Sequence, residues 1–263
     1  MKLNTTFLSE PALRNLDLDS DHRMEIHRKI QSKKRMIREV FKEFHERFHS
    51  LDRRFFFGEG IEIEIGAGIA PMRESYPSVL ATDIVQGPDL DFVLDAENMT
   101  KLSDHSVRVI FGQNCFHHFP HPERFFEELE RVLVPGGGAI LLEPYYGILA
   151  SFVFKHIFTN EDFDKDCLTW DAPQSGPMKG ANQALSYIVF KRDVKRFLVK
   201  YPFLAIVHHE LLGNYPRYLL SGGLNFRQLL PDCCIPAIKR LENILSPLST
   251  LLSLHHIVVI RRA

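Results

Sequence analysis

Glu64-Ile65-Gly66-Ala67-Gly68 is the stretch on which the reading of this chain turns. Just upstream, Ile61, Ile63 and Ile65 alternate with Glu62 and Glu64, the period-two pattern of a strand, and the strand runs directly into the two glycines. Lacking a Cβ, Gly66 and Gly68 let the backbone take positive φ and let a ligand lie against it without a steric clash. Such a turn is either an ordinary β-turn or a nucleotide-sized notch, and a bare Gly-x-Gly does not separate the two. Glu62 shares a face with Glu64. It is either paired with a base from the N-terminal helix, or it lies on a strand less covered than a central one.

The residues downstream have the order and spacing of a cofactor pocket. Val79-Leu80-Ala81-Thr82-Asp83-Ile84 is a short apolar strand with an acid at its end, 17 residues after Gly66, where a carboxylate can accept from both hydroxyls of a ribose. Phe92-Val93-Leu94-Asp95-Ala96 follows, with Asp95 placed to accept from an adenine amino group. Val107 to Phe111 reads as a fourth strand, ending in Gly112-Gln113-Asn114-Cys115-Phe116-His117-His118. A helix is expected from Pro122 to Val134, with proline at its first position, and Pro135-Gly136-Gly137-Gly138 is expected to stop it. Ala139 to Pro144 is nearly all apolar, as a strand buried on both faces should be.

The series EIGAG, ATDI, LDAEN, HHFPHPERFFEELERVLVPGG and AILLEP resembles the class I S-adenosylmethionine-dependent methyltransferases, in particular the type 11-like branch that acts on small molecules, lipids and sugars. The resemblance is close over residues 60–145 and loose in the tail. It implies an α/β fold: a Rossmann-like, doubly wound, mostly parallel seven-stranded sheet ending in an antiparallel hairpin. It also implies S-adenosyl-L-methionine as cofactor. Glu64, Gly66, Ala67 and Gly68 would form the methionine-side turn. Asp83 with Ile84 would hold the ribose, Asp95 with Ala96 would frame the adenine, and Gln113 and Asn114 would lie beside the methyl-bearing sulfur. The chain departs from the family at Ala70-Pro71, where a third glycine often sits. A nicotinamide-binding Rossmann oxidoreductase is the rival. Its GxGxxG would want glycine where Pro71 stands, and the acids Glu64 and Asp95 favour the methyl donor. A methyltransferase-fold protein that binds without turnover is a third reading.

A length of 263 residues and 45% hydrophobic content allow one large α/β domain with appendages. The expected division is an N-terminal arm and cap helix over 1–56 and a methyltransferase domain over 57–263, with a lid insertion at 147–181 and a second insertion at 213–254. The net charge of −1 offers no global basic field, and after the fourth strand Asn114-Cys115-Phe116-His117 stands in place of the Asn/Asp-Pro-Pro-aromatic run of base-amine methylation, so no nucleic-acid partner is expected. Four cysteines without CxxC spacing read as reduced thiols, and no signal peptide opens the chain, which gives a cytoplasmic expectation.

Residues 20–54 read as one long helix with an apolar stripe from Ile30 to Leu51 and 11 Lys/Arg against 6 Asp/Glu. It either caps the catalytic domain or presents Lys33-Lys34-Arg35 and Arg38 to a phosphate-bearing or anionic-lipid partner. A helix is expected over 183–200, a sixth strand from Phe203 and a last strand over His256 to Arg261. Segment 147–181 is either a substrate lid or a surface excursion. Segment 213–254 either packs as core helices or meets a membrane surface or an acyl chain, making the protein membrane-peripheral. The acceptor is expected to be a small molecule, lipid-linked or glycan-linked; the oligomeric state is open.

The expected chemistry is in-line attack of an acceptor oxygen or nitrogen on the sulfonium methyl, driven mainly by alignment. His118 is the first candidate base, with His117, Glu143 and Tyr145 behind it; each either takes the proton or only orients the substrate or packs. No metal is assigned, because no cysteine or carboxylate stands at ligand spacing from His117, His118 and His121 or from the pairs His208-His209 and His255-His256.

Overall fold

In the computed structural model, which describes residues 7–13, 22–159, 161–172 and 181–263, the amphipathic N-terminal stretch is two helices rather than one. α1 (His22–Lys33) and α2 (Arg35–Phe55) are separated at Lys34, whose backbone is extended at φ −104° and ψ 92°. The break turns the Lys34 side chain inward, where its Nζ meets Glu10 at 2.8 Å and donates to the Gly223 carbonyl at 3.1 Å. Arg35 pairs with Glu39 and Arg38 donates to the Gln31 carbonyl, so three of the four basic residues expected to meet an outside anion are engaged within the chain. The helix start expected at residue 20 lies outside the described residues.

β1 (Ile61–Ile65), β2 (Leu80–Asp83), β3 (Phe92–Val93) and β4 (Val107–Gln113) follow, then α3 (Pro122–Val132), β5 (Leu133–Pro144) and α4 (Ile148–His156). α5 (Leu185–Tyr187) continues into a π-helical turn over Ile188–Arg192, and α6 (Val194–Lys200) leads to β6 (Leu204–Leu211). α7 (Tyr215–Ser221), α8 (Ile235–Leu245) and α9 (Ser249–Leu252) fill the connection to β7 (His255–Arg262).

The seven strands form one sheet in the order β3-β2-β1-β4-β5-β7-β6. The first five are parallel, and β7 runs antiparallel to both β5 and β6, as expected of the terminal hairpin. A six-stranded dinucleotide-binding sheet is ordered 3-2-1-4-5-6, so the antiparallel strand wedged beside β5 separates this sheet from the oxidoreductase rival.

Alternation along the strands divides the core in two. Val109, Phe111, Ile140, Leu142, Ile257 and Val259 face α2, whose Ile37, Val40, Phe41, Phe44, Phe48 and Leu51 pack on them. Ile63, Ile65, Ile110, Leu141, Val258 and Ile260 face the other way, against Phe125, Phe126, Leu129 and Val132 of α3. Each fully buried large side chain contributes roughly 1.5–3 kcal/mol. This plan holds the carboxyl ends of the parallel strands rigidly side by side, where ligands of open α/β sheets bind.

Several local expectations are corrected. α3 ends at Val132, and Pro135 to Gly138 lie inside β5 instead of stopping the helix. Gly138 is there because a Cβ would stand 2.2 Å from the Ile260 carbonyl and 2.3 Å from the Phe56 ring. Glu62 pairs with Arg108 of β4, and Arg108 also holds Asp52 of α2 at 2.6 and 2.8 Å. Of the two alternatives for Glu62, the paired one holds, but the base comes from β4 and the N-terminal helix supplies a second acid to the shared arginine. The 183–200 helix is interrupted by the π turn, closed where the Asp193 N–H donates to the Ile188 carbonyl at 2.8 Å.

In the 213–254 segment Arg217 is 3% exposed and reaches Glu242 of α8 and Glu43 of α2, fastening these helices to α2. α8, the turn after it and α9 leave Leu241, Ile244, Leu248 and Leu251 exposed. Among the described residues no helix is long and apolar enough to cross a membrane.

Candidate functional site

A cavity of about 570 Å³ opens at the carboxyl ends of β1, β2 and β4, a size suited to a small ligand. Its floor is the turn after β1. Gly66 and Gly68 both adopt positive φ, 60° and 58°, and a Cβ on Gly66 would lie 2.5 Å from that of Cys115. The turn is stitched to its neighbour strand: the Ala67 N–H donates to the Thr82 carbonyl at 2.9 Å, and the Gly68 N–H donates to Asp83 Oδ2 at 2.9 Å. Asp83 Oδ1 accepts from Val85 N–H at 3.1 Å, so this acid braces the floor while lining the cavity. Ala70, beside the position that departs from the family pattern, takes the left-handed conformation itself, at φ 50°.

Of the residues expected to contact a cofactor, Gly66, Ala67, Gly68, Asp83, Ile84, Asp95, Ala96, Gln113 and Asn114 all line this one cavity. Asp95 is exposed at its rim, and its Oδ1 accepts from Glu97 N–H at 2.8 Å. Glu64 lies behind the turn, 4% exposed, and its Oε2 has no hydrogen-bond partner. Burial, reinforced by the Asp83 charge, pushes its carboxyl up to about 8. Asn114 Oδ1 is likewise buried without a partner, whereas the Gln113 side chain lies against His45 of α2. Two orphaned acceptors, on Glu64 and Asn114, leave places for donors that the protein does not itself supply.

The other half of the cavity is apolar and ringed by aromatic side chains: Phe41 from α2, Phe154 and Phe158 from and after α4, Tyr218 from α7 and Phe226 beyond it. α1 contributes Arg23, Met24 and His27. Thus the 147–181 and 213–254 segments both reach the cavity. Trp170 does not line it; it is buried against Phe126 and donates to Asp193 Oδ2 at 2.9 Å. The Pro/Gly-rich part of the first segment, 173–180, lies outside the described residues.

Between the two halves stand His117 and His118, in the turn Phe116–His118 after β4. Glu143 at the end of β5 fixes that turn: fully buried, it accepts from the N–H groups of Cys115, Phe116 and His117 at 3.0, 2.9 and 3.3 Å and from His117 Nδ1 at 2.6 Å. Glu143 and Tyr145 were candidate bases, and neither is among the lining residues. The Glu143 carboxylate is spent on four donors, and Tyr145 is packed against Tyr146 and His256.

Glu161 approaches from the segment after α4. Its Oε2 lies 3.2 Å from His117 Nε2 and its Oε1 3.7 Å from His118 Nε2. Burial works against a charge on His117, but Glu143 and Glu161 outweigh it and hold the imidazole up to about 10. His117 is therefore a cation at neutral pH and not a base in this state, which corrects its place in the expected order. Glu161 is held down to about 2, its burial outweighed by the two histidines. Sequence reading missed Glu161 as a partner of the histidines because 44 residues separate it from His117. His121 pairs with Asp171 instead, at 3.1 Å.

Residues 66–141 match the family model described as a methyltransferase domain. No curated protein matches the chain in sequence. Among solved structures it is similar to a SAM dependent methyltransferase from Archaeoglobus fulgidus, at 15% identity and a TM-score of 0.47, covering 86% of this chain and 94% of that one. It is also similar to geranyl diphosphate C-methyltransferase from Streptomyces coelicolor A3(2), at 12% identity and 0.49, covering 97% and 89%. A third is phosphoethanolamine N-methyltransferase 2 from Haemonchus contortus, at 14% identity and 0.41, covering 80% and 50%.

Proposed function

We propose that this chain, a class I S-adenosylmethionine-dependent methyltransferase, methylates an oxygen or nitrogen of a small hydrophobic acceptor, free or carried on a lipid or glycan. The observation that carries the reading is the two-part cavity, a polar glycine-floored half joined to an aromatic half at His117, His118 and Glu161.

The polar half fits the cofactor by its orphaned acceptors. Glu64 Oε2 and Asn114 Oδ1 lack donors, and an amino-acid ammonium, ribose hydroxyls and an adenine amino group bring them. Glu64, Gly66, Ala67 and Gly68 would hold the methionine end, Asp83 and Ile84 the ribose, Asp95 and Ala96 the adenine, with Gln113 and Asn114 towards the sulfur. When bound, the cofactor supplies a methyl group on a cationic sulfur.

The remaining work falls to the chain's own residues. The aromatic ring of Phe41, Phe154, Phe158, Tyr218 and Phe226 excludes water and holds an apolar acceptor. His118, Glu161 and the Glu143-oriented His117 receive its polar end, so that the nucleophile is aligned and stripped of its proton; alignment in a dry site supplies most of the rate. An absence of global basic charge and the apolar half together argue against a nucleic-acid acceptor.

The test is a coupled assay for S-adenosylhomocysteine over phenols, apolar alcohols and amines, and lipid- and glycan-linked pools. Turnover is expected with apolar acceptors, and His118→Ala is expected to lower turnover at least tenfold while leaving the cofactor Kd nearly unchanged. Tight cofactor binding with no turnover in any pool would favour a binding protein of this fold.

A further inference from the structure

We propose that His117 Nε2, His118 Nε2 and a Glu161 carboxylate oxygen form a binding site for a divalent transition metal, best suited to Zn²⁺, with an open position towards the aromatic half of the cavity. The inference rests on the acceptor lying in that half, but the metal site itself does not depend on turnover.

The geometry comes first. One ligand atom from each of the three residues lies within 4.8 Å of the other two; His117 Nε2 is 3.2 Å from Glu161 Oε2, and His118 Nε2 is 3.7 Å from the other oxygen, Oε1. Ligands about 2.0–2.2 Å from a tetrahedral Zn²⁺ stand roughly 3.3–3.5 Å apart, so the cluster closes on an ion with small side-chain adjustments. Two imidazoles and one carboxylate are a donor set that zinc takes in catalytic sites, where three protein ligands leave the fourth position for water or substrate.

The support behind the ligands is the second observation. A metal-binding histidine usually donates its other ring N–H to a carboxylate, which fixes the ring and raises its basicity. His117 does so through Nδ1 to Glu143 Oε2 at 2.6 Å, and Glu143 is in turn fixed by three backbone N–H groups. An ordinary buried ion pair needs Glu143 or Glu161 against His117, not both. Two acids closing on one imidazole, with a second imidazole on the far acid, leave room for a cation of higher charge. Arg23 lines the same cavity and its charge acts on Glu161, so occupancy requires the guanidinium to stay on the solvent side of the carboxylate.

The site would select acceptors bearing a ligating hydroxyl. On taking the open position the hydroxyl would give its proton to the metal-bound hydroxide it displaces, which leaves as water; its oxygen would then form the O–C bond as the C–S bond breaks, and the sulfonium would depart as a neutral thioether.

The experiment uses the full chain, stripped with chelator and titrated with Co²⁺ as a spectroscopic probe and with Zn²⁺ by calorimetry, in the absence of cofactor. One equivalent of either ion is expected, Co²⁺ giving the visible absorption of a tetrahedral or five-coordinate site. Glu161→Gln and His118→Asn are each expected to weaken binding at least tenfold, whereas the C233A/C234A double variant binds as wild type. Failure of the wild type to bind either ion overturns the proposal, as does binding lost in C233A/C234A and kept in the other two. A parallel titration of the stripped protein with S-adenosylmethionine separates the readings: cofactor binding without metal binding removes only the metal site, and metal binding without cofactor binding removes only the methyltransferase assignment.

Discussion

At Glu64 a buried carboxyl sits where only an arriving cation would pair it. Its folded pKa, up to about 8, lies above the ordinary value of 4.5, so the folded protein binds this proton more tightly than the unfolded chain. Stability from this group is complete below pH 4.5 and is lost as pH rises towards 8, reaching on the order of 3 kcal/mol at pH 7. Urea unfolding of Glu64→Gln is expected to lack this fall between pH 5 and 8, while its cofactor affinity drops; identical pH profiles for variant and wild type would refute the assignment. Gly66→Ala imposes a left-handed alanine and brings its methyl against Cys115, and should cost about 2–4 kcal/mol in chemical denaturation. Both residues were visible in the sequence as types at positions. The orphaned oxygen and the contact with Cys115 were not, because 49 residues separate Gly66 from Cys115.

Among elements, α2 and α7 illustrate two kinds of attachment. α2 is held by apolar packing, with Phe44 and Phe48 fully buried on the sheet, and Phe44→Ala is expected to destabilise by about 3–5 kcal/mol, read as a lower urea midpoint with unchanged slope. α7 is held by charge. Arg217→Ala leaves buried Glu242 without its cation, while Glu43 keeps Lys239 at 3.4 Å, and should cost about 3–5 kcal/mol, with hydrogen exchange accelerating first in 213–254. Most strands were legible to within a few residues, β1 from its period-two alternation and the others from short apolar runs, but β5 begins at Leu133, six residues before the expected Ala139, because its first half is masked by Pro135 and three glycines. The breaks were not: Lys34 leaves the helix for Glu10 and Gly223, and the glycines of β5 serve Ile260, all partners remote in sequence. Glu161 was hidden for the same reason, 44 residues from the His117 it meets.

For the whole molecule, occupancy of the glycine-floored cavity by the proposed cofactor predicts stabilisation of the fold. S-adenosylmethionine at a hundred times its Kd should add about 2.7 kcal/mol, a rise of roughly 5 °C or more in Tm, whereas NADH should add nothing; the reverse ranking would return the chain to the oxidoreductases. The order β5-β7-β6 carries a further implication for how the protein is made. β6 has no neighbour in the sheet except β7, and 43 residues separate the two. While the ribosome is still delivering those residues, β6 is a nascent strand with both edges bare and β5 presents its own open edge beside it. Such edges invite pairing with other chains. Chaperone contact during translation should therefore concentrate on 204–211, and should end when 255–262 leave the exit tunnel and the last strand slides between two already waiting.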